Sequence, residues 1–201
     1  MPGSAPPIAN EHEGLRAFLA QQHAGIRNAA YGLPDEQAHS APSVSSISIA
    51  GLVKHVTVCE RSWMDRAYAA PAAPASDTRT FAEQAADYGK DWDPTGQSIT
   101  ELLAGFDEVA TKTEEAIPGL DLDTPVPVPQ GAPWFPKDLE AWSVRWVLLH
   151  LIEEIARHAG HGDIVRESID GATMYELLAG AEGWPETDWL KPWRPKDQAL
   201  S

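Results

Sequence analysis

Four segments of the chain place apolar residues at helical spacing, with polar residues between them. They predict α-helices over about residues 10–31, 49–69, 98–117 and 139–169. The seventeen prolines of the chain fall between these segments and never inside them, so they act as helix boundaries. Four long helices joined by long connections predict an all-α, antiparallel four-helix bundle.

Two connections are long and have helix-breaking compositions. Residues 71–97 are rich in Ala, Pro, Asp and Gly, which predicts a long loop with one short helical candidate at 81–86. Residues 121–137 contain PVPVPQGAPWFP, which predicts extended chain laid over the bundle, with Trp134 and Phe135 as anchors. The sequence predicts no strand pair.

The length of 201 residues suits one well-filled domain, so we predict a single domain over 1–201. Residues 1–9 are expected to be disordered. A short helical piece is predicted near 175–178. The Trp- and Pro-rich tail at 180–201 is expected to pack back on the bundle.

The last of the four helical segments combines large apolar residues with ionisable ones, in the sequence WSVRWVLLHLIEEIARHAGHGDIVR. His150, Glu154 and His158 follow one another at steps of four, and His161 lies three residues further. Residues at these spacings share one helix face. His150 and His158 are separated by about 12 Å along a helix, too far to share an ion. The neighbouring pairs along this face remain as candidate chelates, and the pair of Glu154 and His158 is central.

His55 lies on or beside the buried face of the second predicted helix and is a candidate third ligand. Two histidines and one glutamate would leave a coordination position open, which is the catalytic rather than the structural pattern. The alternative is that Glu154 and His158 form an ordinary hydrogen-bonded pair. Cys59 lies four residues from His55 on the same face, but a buried cysteine more often acts as a small hydrophobe.

Composition narrows the classes of function. A formal charge of −15 argues against a nucleic-acid partner, because phosphate binding needs clustered Lys and Arg. No apolar run reaches the roughly 20 residues of a membrane span, and the N-terminus lacks a signal-peptide pattern. A single cysteine excludes an intramolecular disulfide. We therefore expect a cytoplasmic protein without a membrane partner.

Two segments, LVKHVTVCERSWMDRA and RWVLLHLIEEIARHAGHGDIVRESIDG, resemble the DinB-like superfamily. The resemblance is to an actinobacterial branch of unassigned function, related to the metal-binding domain of mycothiol-dependent maleylpyruvate isomerase. It implies a bundle, often a homodimer, that holds zinc or nickel through His55, Glu154 and His158. From their places on the same helix face, His161 and His150 are candidates to line the pocket or to hydrogen-bond a ligand. For His150 the alternative is a core histidine with a backbone partner.

The resemblance also implies a class of chemistry. The expected function is a metal-dependent enzyme that activates a low-molecular-weight thiol, such as mycothiol, for S-transfer to a small electrophile or for its isomerisation. Metal coordination deprotonates a thiol, so no protein nucleophile is needed. Two alternatives stay open: a hydrolase that uses metal-bound water, and a non-catalytic module that binds a metal or a small molecule.

Overall fold

The computed structural model describes residues 3–73, 79–129 and 135–195. Within them the chain forms a helical bundle with one small antiparallel sheet. The elements in chain order are α1 (Glu11–Ala30), α2 (Asp35–Ala38), α3 (Ile49–Ala69), α4 (Phe81–Lys90), α5 (Ile99–Ala116), β1 (Pro125–Pro127), β2 (Ala141–Ser143), α6 (Val144–Asp170) and α7 (Met174–Ala181).

Each of the four long helices begins at a side chain that accepts a hydrogen bond from the first turn. Asn10 caps α1, Ser48 caps α3, Ser98 caps α5 and Ser143 caps α6. These caps satisfy backbone N–H groups that have no partner inside the helix. α6 ends at Gly171, whose φ of 79° is the left-handed conformation that glycine adopts readily. Local sequence therefore sets the ends of the bundle helices.

The core lies where α1 and α3 pack against α6, and α5 packs against α3. All four helices contribute apolar side chains that are fully or almost fully buried. Examples are Leu19, Ile26, Ile49, Leu52, Phe106, Leu148, Leu151 and Ile155. The prediction of an all-α four-helix bundle is confirmed.

Two predictions were wrong. The fourth helix begins five residues later than predicted, and the chain forms a strand pair that the sequence did not predict. α6 begins at Val144 because the residues before it form β2, which pairs with β1. Val126 lies opposite Trp142, and both side chains are buried. Three-residue strands are too short to show an alternating pattern, and the prolines of β1 are tolerated because this strand is at an edge of the sheet.

The connection between α3 and α5 contains more helix than the sequence predicted. α4 extends to Lys90, so Tyr88 lies on a helix and Trp92 follows its end. Thr80 and Glu83 form a reciprocal capping box that fixes where α4 begins. Of the two anchors predicted in the extended segment, Trp134 lies outside the described residues and Phe135 contacts Trp63 and Trp142.

The described part of the tail packs on the ends of α1 and α6. The Trp193 ring meets the Tyr31 ring edge-on, and the guanidinium of Arg166 lies 4.6 Å from the centre of Trp193. Arg166 is fully buried, where it donates to the carbonyls of Ala29 and Tyr31 and to the carboxylate of Asp170. In the three described ranges, no helix is long and apolar enough to span a membrane.

Candidate metal centre

The three predicted ligands lie together between α3 and α6. Nε2 of His158 donates to Oε1 of Glu154 at 3.2 Å, and Nε2 of His55 lies 3.7 Å from the same oxygen. The ring centres of His55 and His158 are 4.9 Å apart. We call these three residues the open cluster. The structure thus brings one residue of α3 to the four-spaced pair of α6.

His55 is the least satisfied member of the open cluster. It is 4% exposed, and its two ring nitrogens have no hydrogen-bond partner among the described residues. The 3.7 Å separation from Glu154 is too long for a hydrogen bond. A buried polar group without a partner costs about 1–3 kcal/mol. Two imidazoles and a carboxylate are a donor set that divalent zinc or nickel accepts, so the open cluster fits a metal ion.

Glu154 is held in its ionised form. The hydrogen bond from His158, helped by the proximity of His55, lowers the pKa of Glu154 well below its usual range despite partial burial. A metal ligand must be deprotonated, so this carboxylate is ready to coordinate a cation at neutral pH.

Cys59 adds a sulfur to the same place. The ligand atoms of His55, Cys59 and Glu154 all lie within 4.8 Å of one another. Burial, and secondarily the charges of Glu154 and Glu60, raise the pKa of the Cys59 thiol to about 12. Cys59 also packs against the hydrophobic core, as expected of a small hydrophobe. Its position is therefore compatible with both roles.

Trp92 covers His55 from the connection that follows α4. Their rings stack in parallel with centres 3.7 Å apart, and Tyr88 meets His55 edge-on at 5.8 Å. The backbone around Trp92 is fixed to α3, because Nζ of Lys54 donates to the carbonyl of Asp93 at 2.5 Å. Gly51 permits the close approach, since a Cβ there would lie 2.7 Å from the carbonyl oxygen of Trp92. Sequence reasoning assigned this segment to a loop and missed the contact.

The other two histidines of the α6 face do not join the open cluster. The His150 ring stacks on Trp146 with centres 5.1 Å apart, and its Nδ1 lies 4.0 Å from Glu153. His161 is partly buried and makes no hydrogen bond, ion pair or ring contact with a described residue. Their predicted roles beside the pocket stay predictions.

His150 belongs to a group of rings at the side of the open cluster nearer the start of α6. Trp146 is 39% exposed there. The guanidinium of Arg66 lies 5.1 Å from the centre of the Trp63 ring and donates to the hydroxyl of Ser62. Among the described residues, Arg66 pairs with no carboxylate. We call these rings the aromatic cluster: Trp63, Phe135, Trp142, Trp146 and His150.

A second histidine–glutamate group, which sequence reasoning missed, joins α1, α3 and α5. His23 donates from Nε2 to Glu60 at 2.9 Å and from Nδ1 to Glu114 at 2.7 Å. His23 and Glu60 are fully buried. We call these three residues the closed cluster. Burial opposes a charge on His23, but the hydrogen bonds to Glu114 and Glu60 outweigh it and raise the pKa of His23.

Comparison with known proteins places this site in a family. The family model described as mycothiol-S-transferase matches residues 14–171, which include the open cluster and Cys59. The chain belongs to the mycothiol-S-transferase family. This match confirms the predicted DinB-like resemblance and identifies a mycothiol-related, metal-dependent protein.

No curated protein matches the chain in sequence. Among solved structures, the chain of this mycothiol-S-transferase family member is similar to a conserved protein from Enterococcus faecalis. The two are 13% identical with a TM-score of 0.54, and the match covers 82% of this chain and 100% of the other. At that identity the likeness supports the fold and carries nothing about activity.

Proposed function

We propose that this protein is a metal-dependent thiol S-transferase. It holds zinc or nickel through His55, Glu154 and His158, and it joins a low-molecular-weight thiol such as mycothiol to a small electrophile, or isomerises that electrophile through the thiol. The observation that carries the proposal is the buried imidazole of His55, which has no hydrogen-bond partner among the described residues and faces an ionised glutamate. Membership of the mycothiol-S-transferase family supports the choice of thiol.

The chain's own residues prepare the metal position. A divalent metal there lowers the pKa of a coordinated thiol, which makes the thiol a nucleophile at neutral pH. The hydrogen bond from His158 orients the carboxylate of Glu154. The stacked ring of Trp92 fixes the plane of His55 and shields it from water.

The aromatic cluster and Arg66 supply a place for the electrophile. Trp146 presents an exposed aromatic face, and Trp63 lies behind it with ring centres 5.6 Å apart. Aromatic faces of this kind bind apolar parts of small molecules. Arg66 is partly buried and pairs with no described carboxylate, so its guanidinium suits an anionic group on the electrophile.

The first experiment measures the metal content of the untagged protein by elemental analysis. We expect near-stoichiometric zinc or nickel in the parent, and loss of it in folded His55→Ala, Glu154→Ala and His158→Ala. His161→Ala is the matched control, because His161 shares the α6 face but makes no hydrogen bond, ion pair or ring contact with a described residue. A parent that stays metal-free after incubation with both ions contradicts the proposal.

The second experiment asks whether turnover needs the thiol. Metal-loaded protein is incubated with mycothiol and a panel of electrophiles, and loss of free thiol is followed beside the three metal-free variants. We expect metal-dependent and thiol-dependent turnover. Turnover that proceeds without thiol indicates a hydrolase, and tight ligand binding without turnover indicates a binding module; either result overturns the proposed transferase.

A further inference from the structure

Cys59 lies one helical turn from His55 on the face of α3 that meets Glu154. Residues four apart on a helix share a face, so the backbone alone directs both side chains to the same place. Their ligand atoms and that of Glu154 lie within 4.8 Å of one another. Ligand atoms around a tetrahedral zinc ion are separated by about 3.5 Å, given bond lengths of about 2.0–2.3 Å. Small side-chain adjustments therefore place all three around one ion.

A second, independent observation is that His55 and Cys59 lack hydrogen-bond partners among the described residues. Both ring nitrogens of His55 are buried and form no hydrogen bond within the part of the chain that the structure describes. Cys59, for its part, makes no hydrogen bond with a described residue. Glu154 adds a negative charge to the same place, and Glu60 is close enough to act on the thiol electrostatically. The position between His55, Cys59 and Glu154 is therefore surrounded by donor atoms and negative charge, which a bound cation would satisfy.

We propose that Cys59 is a fourth ligand of the metal, beside His55, Glu154 and His158. The inference rests on the proposed function, because it assumes the same metal position. Four protein ligands close a tetrahedral site, whereas three leave a position open. Cys59 therefore occupies the coordination position that the cosubstrate thiol needs.

Substrate entry would then exchange one sulfur for another. When a cosubstrate thiol takes this position, Cys59 would give up its place among the ligands and would accept the proton of the incoming thiol. Charge and proton count are unchanged, so the exchange needs no oxidant or reductant. In the absence of thiol, Cys59 would keep water from this position, which would disfavour hydrolysis of the electrophile.

Cobalt(II) tests the assignment, because a thiolate bound to cobalt gives intense near-ultraviolet charge-transfer absorption that imidazole and carboxylate ligands do not give. Cys59 is the only cysteine in the sequence, so in thiol-free buffer such a band comes from this residue alone. We expect the band in the cobalt-loaded parent. In Cys59→Ser we expect it to be absent, with the weaker visible bands of bound cobalt retained.

The outcomes separate this inference from the proposed function. Visible cobalt bands without charge-transfer absorption in the parent overturn the role of Cys59 and leave the metal position intact. A parent that binds no cobalt overturns both.

A second measurement covers the case in which Cys59→Ser is poorly folded. Alkylation of Cys59 by iodoacetamide in the parent is compared with and without bound cobalt. We expect at least roughly tenfold protection by the metal, since a coordinated thiolate is withheld from the reagent. Equal alkylation rates overturn the assignment.

Discussion

The closed cluster and the open cluster contain the same kinds of side chain but satisfy them differently. In the closed cluster, His23 uses both ring nitrogens to bind carboxylates, Glu60 on one side and Glu114 on the other. In the open cluster, His55 is buried almost as deeply, but neither of its ring nitrogens forms a hydrogen bond with a described residue. Among the described residues, both ring nitrogens of His23 have partners, although the second carboxylate oxygen of Glu60 has none, whereas neither ring nitrogen of His55 has one.

The difference separates a structural role from a functional one. A buried imidazolium between two carboxylates satisfies its own charge, and removing one partner leaves another charge buried alone. A buried imidazole without partners is a cost that folding alone does not explain. Histidine and glutamate on a buried helix face therefore do not by themselves indicate a metal. The two nitrogens of His55, which lack a hydrogen-bond partner among the described residues, support the proposed metal position.

Breaking the closed cluster has the largest expected effect on stability. In His23→Ala, the fully buried Glu60 loses its partner and its carboxylate stays in the core. We expect the free energy of unfolding to fall by about 3–5 kcal/mol. Urea denaturation of metal-free protein measures it, with His161→Ala as the control that changes little. A loss below about 1 kcal/mol contradicts the structural role of the closed cluster.

Binding of a metal to the open cluster has the next largest expected effect on stability. A ligand that binds only the folded state at one hundred times its dissociation constant stabilises it by about 2.7 kcal/mol. In thermal denaturation, we expect zinc or nickel to stabilise the folded parent and the His161→Ala variant by about this free energy. The stability of His158→Ala should not change when the metal is added. Equal stabilisation of His158→Ala shows that the metal binds elsewhere.

The parts that could be predicted from the sequence are those with local signals. α3 was predicted with its observed bounds because Ser48 caps its start and Pro71 follows its end. The pairing of Glu154 with His158 was predictable because four-residue spacing fixes their relation on one helix. His55 came from its place near the buried face of α3, together with the family resemblance.

The parts that could not be predicted depend on contacts between distant segments. His23 is 37 residues from Glu60 and 91 residues from Glu114, and no local pattern links them. Trp92 reaches His55 only because the connection after α4 folds back over α3, where Gly51 allows close approach. Such pairings follow from tertiary packing, which overrides the local preference of a Pro- and Gly-containing segment.

The two clusters also differ in how stability depends on pH, and this expected effect is smaller. The folded-state pKa of His23 is raised above its unfolded value of about 6.5, so its contribution is complete below pH 6.5 and is lost as pH rises through the folded pKa. We expect metal-free parent stability to fall from pH 6.5 upwards, by at most about 1.4 kcal/mol per pH unit from this one proton. In His23→Gln the slope over pH 6.5–8 should flatten. An unchanged slope contradicts a charged His23.

The opposite sign applies to Glu154 in the open cluster. Its pKa is lowered in the folded state, so its contribution is present above the unfolded value of about 4.5 and is lost as pH falls below it. Urea denaturation of metal-free parent and Glu154→Gln at pH 3 to 6 measures it. We expect the difference between the two to shrink as the solution is acidified, and a constant difference contradicts the ion-pair origin of the shift.

Replacing His55 with Leu is expected to change metal-free stability least. The substitution removes two buried nitrogens that form no hydrogen bond with a described residue, which favours the folded state by about 1–3 kcal/mol. It also removes the ring stack with Trp92, which costs about 0.5–1.5 kcal/mol. After chelation of the metal, the free energy of unfolding of His55→Leu should therefore be higher than that of the parent or within about 1 kcal/mol of it. Added metal should no longer stabilise this variant. If His55→Leu lowered the free energy of unfolding as much as His23→Ala, His55 would be a structural residue like His23, because folding itself would then require it.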